Sequence, residues 1–265
     1  SPFMNSLIRC IKYLVYIITS KTKHSIHSPY IYEFVTQVIN KKSQNNKAEK
    51  EINKLRKELG EDKTLIEILD LGAGSNITKS KYRSIKDIAK NSSMKPKFAK
   101  LIYRIINFYN INNIVELGTS LAISTCYIAK ANKNAKIFTL EGCPKTAKIA
   151  QKNLEKMNIK NTKVIIGDFK DTLIKTLEEV KKIDLFVIDG DHKKDSTIHY
   201  FETCLRYCNN NTILIFDDIH WSNDMQKAWK HITNHPKTRV SVDLFFLGIV
   251  FIRSELSKEN FTIHF

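Results

Sequence analysis

The sequence contains no C-x-x-C pair among its five cysteines, which are Cys10, Cys126, Cys143, Cys204 and Cys208. An odd number of scattered cysteines indicates neither a disulfide framework nor a zinc site. A chain of 265 residues is long enough to bury a sizeable core without such staples. We therefore expect a protein of the reducing cytoplasm.

The sequence also lacks an apolar run long enough to cross a membrane. The strongest candidate, residues 7–18, is too short for a bilayer and is interrupted by Arg9 and Lys12. No small-residue cleavage site follows it, so it does not resemble a signal peptide. Its apolar residues recur at helical spacing, which predicts a packing helix and no transmembrane segment. Contact with a membrane surface, or with a second copy of the chain in a homodimer, remain the alternatives.

A concentrated arginine-rich tract is missing as well, although Lys and Arg outnumber Asp and Glu by 43 to 27 and give a formal net charge of +16. Such an excess attracts nucleic acid when it is clustered. Here the basic residues are spread through the whole chain, which favours solvated surfaces over a binding patch. Nucleic acid stays open as a partner but is not favoured.

Two patterns divide the chain. Residues 1–110 are predicted to be mainly helical, while from Ile111 onward short β-branched runs alternate with amphipathic stretches of helical length, which is typical of βα units around a parallel sheet. The predicted strands are residues 114–117, 136–140, 163–166, 185–188, 213–216, 240–244 and 249–253.

Only four residues separate the last two predicted strands, so the final strand must return antiparallel as a hairpin. We therefore predict an α/β fold, doubly wound, with a mostly parallel seven-stranded sheet whose last strand is antiparallel. A mainly helical region, residues 1–110, precedes the ligand-binding domain of residues 111–265 and is expected to act as a lid and acceptor pocket.

Ligands of an open α/β sheet sit beyond the carboxyl ends of the strands, and the first predicted strand ends in a polar turn. A glycine there permits close backbone approach, and the following helix offers free N–H groups. The candidate binding residues of this turn are Glu116, Gly118, Thr119, Ser120 and Ser124.

The second and third predicted strands end in acidic residues. Glu141, followed by Gly142 and Cys143, is placed to accept hydrogen bonds from the two hydroxyls of a ribose. Three further candidates follow the third strand: Gly167, Asp168 and Phe169. The Asp168 carboxylate could accept a hydrogen bond from the exocyclic amine of an adenine. A capping aspartate or a turn glycine is usually structural, but three such signals at successive strand ends predict an adenosine site.

The motifs IVELGTSLAIST, TLEGC, IIGDF, VIDGDH and IFDDIHW, within residues 95–252, resemble class I S-adenosylmethionine (SAM)-dependent methyltransferases, specifically the catechol and caffeoyl-CoA type O-methyltransferases and their bacterial relatives. The first motif has Ala122 where that family usually has a second glycine. The resemblance implies SAM as cofactor, contacted also by Asp189, and a small-molecule acceptor whose hydroxyl is methylated.

Three carboxylates follow the fourth and fifth predicted strands: Asp189, Asp217 and Asp218. The family sheet order makes these strands neighbours, about 5 Å apart. Like charges at that distance call for a divalent cation, and oxygen ligands favour Mg²⁺, with Mn²⁺ or Ca²⁺ as alternatives. The resemblance implies the same metal ligands. Alternatively, Asp217 and Asp218 cap the helix that begins near Ser222.

His192 falls where the resemblance places the group that deprotonates the acceptor hydroxyl. A histidine is suited to accept a proton at neutral pH, so His192 is the candidate base and Asp189 its catalytic neighbour. A hydrogen-bonded structural histidine is the alternative. Asp191 either replaces a metal ligand or faces solvent, and His220 and Trp221 either wall the acceptor pocket or pack at the sheet edge.

The upstream sequence DLGAGS, residues 70–75, looks like a binding motif, but two helical stretches follow it where a second strand is required. We interpret it as a turn. An NAD-dependent oxidoreductase is disfavoured because the G-x-G-x-x-G fingerprint is missing from the first βα turn. A nucleic-acid methyltransferase, or a non-catalytic binding module on the same fold, remain the alternative functions.

Overall fold

The computed structural model describes residues 2–20, 26–41, 47–69 and 81–265, with side chains from Arg9 onward in the first helix. The DLGAGS turn lies outside the described residues. The described helices are α1 Pro2–Thr19, α2 Pro29–Phe34, α3 Lys47–Glu61, α4 Ile85–Asn91, α5 Pro96–Tyr109, α6 Ile123–Ala131, α7 Pro144–Lys156, α8 Phe169–Val180, α9 Lys194–Cys204 and α10 Asn223–Asn234.

The described strands are β1 Leu65–Glu67, β2 Tyr82–Ser84, β3 Asn113–Leu117, β4 Lys136–Glu141, β5 Thr162–Ile166, β6 Ile183–Ile188, β7 Cys208–Asp217, β8 Val240–Asp243, β9 Leu247–Phe251 and β10 Glu259–Thr262. The last eight of these belong to one mixed sheet flanked by helices, and β1 and β2 form a separate antiparallel pair. The predicted α/β fold is confirmed, with eight sheet strands where the sequence predicts seven.

The chain divides into two compact units: residues 42–183, called the central unit here, and residues 1–41 with 184–265, called the terminal unit. The division at residue 110 that the sequence predicts stays a prediction.

In the central unit, β3, β4 and β5 run parallel in that order. All but the first residue of β3 are buried, as is typical of a strand covered on both faces. α5 buries one apolar face at the spacing of successive helical turns, Phe98, Leu101, Ile102, Ile105 and Ile106. The carboxyl ends of the three strands therefore lie along one edge of a well-packed unit.

In the terminal unit, the strand order is β10-β8-β9-β7-β6. β9 is antiparallel to both β7 and β8, so the predicted hairpin of the last two strands is confirmed. β10 adds a parallel strand beside β8 that the sequence pattern did not reveal. Within the described ranges, no helix combines the length and apolar character that a bilayer span requires.

Candidate active site

The turn that follows β3 has an unusual backbone. Gly118, Ser120 and Ala122 have φ of 97°, 48° and 62°. Only glycine adopts this region at little cost, and an alanine there costs on the order of 1 kcal/mol. The backbone N–H groups of Gly118 and Thr119 both donate to the Leu140 carbonyl, at 3.0 and 3.1 Å, which fixes the turn against the end of β4.

Glu116 is fully buried and its carboxylate is surrounded by hydroxyl donors. Ser124 Oγ donates at 3.1 Å, Thr125 Oγ1 at 2.6 Å and Thr139 Oγ1 at 2.7 Å. These bonds join β3 to α6 and β4, so Glu116 and Ser124 hold the turn in shape from inside the unit. The direct cofactor contacts assigned to them from the sequence remain a prediction. The Thr119 and Thr139 hydroxyls, 2.7 Å apart, extend the same network.

Glu141 stands at the carboxyl end of β4 and braces the turn. Its Oε2 accepts from the Ser120 N–H at 2.8 Å, and its Oε1 accepts from the Cys143 N–H at 2.9 Å, with Gly142 N–H as a further donor. Burial raises the pKa of this carboxyl, and the three backbone donors lower it in part. Because a carboxylate has about four acceptor sites, the three backbone donors leave one for a ligand hydroxyl.

Ser120 adds an unsatisfied polar atom beside this carboxylate. Its Oγ is buried and finds no hydrogen-bond partner within the described parts of the chain. A buried hydroxyl in this state calls for an explanation, and a bound polar ligand is one. Cys143 lies in the same corner, buried, where its Sγ accepts from the Leu69 N–H at 3.4 Å.

The end of β5 meets the same corner because the Gly167 N–H donates to the Glu141 carbonyl at 3.0 Å. Gly167 has φ of 143°, a conformation reserved for glycine. Asp168 Oδ1 accepts from the Lys170 N–H at 3.0 Å and caps α8, of which Phe169 is the first residue. The capping role is thus observed, and the adenine contact remains a prediction.

In the terminal unit, Asp189 follows β6 and Asp217 ends β7, and their carboxyl groups hydrogen-bond to each other. Burial raises the pKa of Asp189 to about 6, while nearby His192 lowers it in part. The pKa of Asp217 is raised well above its usual range, by burial first and then by the charges of Asp189 and Asp218. Two carboxyl groups this close together and buried therefore disfavour a second negative charge.

Asp218 has a different partner. Its Oδ1 lies 3.7 Å from Nη2 of Arg9, which comes from α1, and the guanidinium stacks 4.4 Å from the centre of the Trp221 ring. In the sequence pattern Arg9 appears only as an interruption of an apolar run. Its spacing from Tyr16, two helical turns later, places both residues on the same face of α1.

The alternative that Asp217 and Asp218 cap α10 is wrong. The cap is Ser222, whose hydroxyl accepts from the Met225 N–H at 3.1 Å. Across the described residues, no three His, Cys, Asp or Glu side chains are grouped so that they could hold a metal ion. The structure brings Asp189 and Asp217 together and directs Asp218 to Arg9, so two of the three predicted carboxylates, whose oxygens are of the ligand type that hard cations prefer, lie side by side.

His192 lies on the loop between β6 and α9, and its Nε2 is 3.9 Å from Asp189 Oδ1. Its side chain keeps 27% of its surface exposed, so both protein and solvent reach the imidazole. The neighbouring Asp191 accepts from the Tyr200 hydroxyl at 3.3 Å. This arrangement suits a proton acceptor whose positive form is stabilised by a carboxylate.

His220 and Trp221 differ in their surroundings. His220 Nε2 lies 2.7 Å from Asp243 Oδ2, and its ring stacks on Phe245 with centroids 5.0 Å apart. Trp221 leaves 46% of its surface exposed next to Asp218. His220 is thus held by neighbours, whereas Trp221 offers an aromatic face.

Several known proteins are similar in sequence to this chain. Residues 115–219 match the family model described as Methyltransferase domain. A catechol O-methyltransferase of Niastella koreensis is 32% identical over 130 residues, covering 48% of this chain and 58% of that protein. One of Mycobacterium tuberculosis is 30% identical over 108 residues, covering 40% and 47%. The chain spans about half the length of these curated relatives.

A solved structure shares the fold. The O-methyltransferase from Bacillus cereus, in complex with SAH, superposes with a TM-score of 0.55 at 20% identity, over 84% of this chain and 97% of that one. Residues 115–219 are therefore similar to a methyltransferase domain, and the fold is the one seen in the solved O-methyltransferase structure.

Proposed function

We propose that this protein transfers the methyl group of SAM to a hydroxyl of a small molecule. One observation carries the proposal: Glu141 and the unsatisfied Ser120 hydroxyl meet at the carboxyl ends of β3 and β4, in a domain of the matched family. The names of the two relatives indicate an acceptor of the catechol kind. A catechol has two adjacent hydroxyls on an aromatic ring.

In this proposal the central unit binds the adenosyl part of SAM. A ribose hydroxyl would donate to the acceptor site that the three backbone donors leave on Glu141, and Ser120 Oγ would gain a partner from the cofactor. Gly118, in its left-handed conformation, lets the backbone approach the methionine part closely. Asp168 Oδ2 accepts from the adenine amine while Oδ1 keeps its cap bond, and Phe169 covers the ring.

The terminal unit supplies the proton acceptor. His192 removes the proton of the acceptor hydroxyl, and the carboxylate of Asp189 stabilises the imidazolium that results. The oxyanion then attacks the SAM methyl group, forming the O–CH₃ bond while the S–CH₃ bond breaks and SAH leaves. His192 returns its proton to solvent through its exposed edge. The exposed face of Trp221 is suited to hold an aromatic acceptor.

A divalent cation, Mg²⁺ above all, would be held by Asp189 and Asp217, and would supply Lewis acidity that lowers the pKa of the acceptor hydroxyl. Asp218 is the third carboxylate within reach of such an ion if it leaves Arg9. We also propose a cytoplasmic location, because all five cysteines are free thiols, which is typical of a reducing compartment.

The test combines calorimetry and product analysis. Wild type should bind SAM, and Ser120→Ala and Glu141→Ala should bind it at least tenfold more weakly, while Glu179→Ala, at an exposed glutamate paired with Lys163, should bind it as wild type does. Incubation with SAM and a panel of catechols, other phenols and sugars should yield a methylated product and SAH. Methylation of RNA or DNA without any small-molecule product would contradict the proposal, as would SAM binding without transfer.

A further inference from the structure

The first helix, α1, faces the rest of the terminal unit with its polar side chains. Arg9 reaches Asp218, and Lys12 Nζ donates to the side-chain oxygens of two α10 residues at 3.2 and 3.0 Å. One turn on, the Tyr16 hydroxyl donates to the Ile263 carbonyl at 2.5 Å and its ring packs on an aromatic cluster. The two charged side chains described on α1 are both turned inward.

The outer face of α1 is correspondingly apolar. Ile11, Leu14, Val15 and Ile18 are 53%, 58%, 53% and 81% exposed, and their spacing of three and four residues makes them one stripe. The exposed residues from 9 to 19 contain no charged side chain; they are Cys10, Ile11, Tyr13, Leu14, Val15, Ile17, Ile18 and Thr19. A surface helix normally shows the opposite polarity. A contiguous stripe of this kind marks a surface that is covered in use.

The size of the apolar stripe and the net charge of the protein indicate which kind of partner covers α1. The eight exposed residues between residues 9 and 19 are few against the roughly 20–30 that each side of a standard protein interface contributes. A formal net charge of +16 also opposes association of two copies of this chain. A lipid surface, in contrast, needs only one amphipathic helix, and an anionic one attracts a basic protein.

The helix that α1 contacts carries positive charge as well. Lys12 ties α1 to α10, and α10 exposes Lys227 and Lys230, with Asp224 pairing with the former at 3.8 Å. Basic side chains and the apolar stripe thus belong to the same unit, and basic charge strengthens the binding of an apolar helix to anionic lipid.

We propose that α1 docks this protein on an anionic lipid bilayer, lying in the plane of the surface with Ile11, Leu14 and Ile18 inserted at the boundary between headgroups and acyl chains. Binding of this kind is peripheral and reversible. It leaves the inward contacts of Arg9, Lys12 and Tyr16 in place, so the acidic residues of the unit keep their partners.

Co-sedimentation with vesicles tests the proposal on the full chain. The protein should pellet with vesicles of phosphatidylcholine and phosphatidylglycerol, at least tenfold more strongly than with phosphatidylcholine alone, and less as salt is added. The triple variant Ile11→Ser, Leu14→Ser, Ile18→Ser should lose at least tenfold in binding. Ile174→Ser, which removes an isoleucine of α8 that is 45% exposed, is the matched control and should pellet as wild type does.

Cys10 provides a second measure of lipid binding, because it is exposed on the outer face of α1. A polarity-sensitive fluorophore on Cys10 should shift to the blue with anionic vesicles, and a labelled Cys10→Ser protein should show no such shift. Wild-type protein left in the supernatant, or a triple variant that pellets equally, would overturn the proposal. A blue shift that appears without vesicles and grows with protein concentration would also overturn it, if sedimentation velocity shows a dimer under the same conditions. The apolar face of α1 would then be covered by a second copy of the chain.

Discussion

Glu141 Oε2 accepts a hydrogen bond from the Ser120 backbone N–H at 2.8 Å, which joins the end of β4 to the turn after β3. The same carboxylate is largely buried, and burial raises its pKa. The group that would bind the ribose is therefore also the group that shapes the turn, and its protonation state should control cofactor affinity.

SAM affinity should consequently depend on pH. Below the raised pKa of Glu141 the carboxyl is protonated and loses acceptor capacity, so affinity is full above that pKa and falls as the pH drops through it. Glu141→Gln should weaken binding about tenfold to a hundredfold at neutral pH, since a hydrogen bond to a charged group contributes about 1.5–3 kcal/mol. It should also flatten the pH dependence. Calorimetry over a pH series measures both, and an equally steep profile in the variant would contradict the assignment.

The acidic pair of the terminal unit gives a prediction on metal binding. If a divalent cation relieves the repulsion between Asp189 and Asp217, adding Mg²⁺ or Mn²⁺ should raise the melting temperature of wild type, because a ligand that binds only the folded state stabilises it. The double variant Asp189→Asn, Asp217→Asn should show no such rise. Asp195→Asn, at a side chain that is 95% exposed, is the control. Absence of any shift in wild type would remove the cation from the proposed function.

His192 should affect turnover and not cofactor binding. Positioned general bases contribute typically 10²- to 10⁴-fold, so His192→Ala should lower kcat by about that factor and leave the Kd for SAM unchanged. The loss should shrink at high pH, where the acceptor hydroxyl ionises without help. His231→Ala, at an exposed histidine paired with Glu202, controls for the loss of an imidazole elsewhere in the unit. A His192→Ala enzyme with unchanged kcat would identify His192 as structural.

The sheet strands with long apolar runs were predictable because parallel strands covered on both faces read as continuous β-branched segments, as in β3 and β6. β10 was missed because Phe261 is its single buried residue, too little to form a pattern. β1 and β2 are shorter still, with three residues each. β5 has no fully buried residue and was predictable from its β-branched residues alone.

The candidate site could be predicted from the sequence only in part, for a different reason. Positions after β3, β4 and β5 follow from topology, so the convergence of the turn with Glu141 and Gly167 was foreseeable. The hydroxyl groups that surround Glu116 could not be foreseen. A carboxylate that binds a ligand and a carboxylate whose hydrogen bonds come from neighbouring side chains look alike in sequence. The contact between Arg9 and Asp218 joins opposite ends of the chain, and no local pattern encodes such a pair.

Gly248 of β9 offers a test of the packing that supports the acidic residues, since it pairs with Phe216, the neighbour of Asp217 in β7. A Cβ at Gly248 would lie 2.6 Å from two ring atoms of Trp229 and 3.0 Å from Ile219 Cγ2. Gly248→Ala should thus lower the free energy of unfolding by about 1–3 kcal/mol, the usual cost of overpacking a core.

The matched control is Gly60→Ala in α3, where an added Cβ meets nothing within 4 Å. In a helix this change should stabilise the protein, by up to about 1 kcal/mol, because alanine has the higher helix propensity. Urea titrations of wild type and both variants measure the two effects with opposite signs. If Gly248→Ala were neutral, Trp229 would have to move away from β9, and a larger side chain than alanine would then be tolerated there.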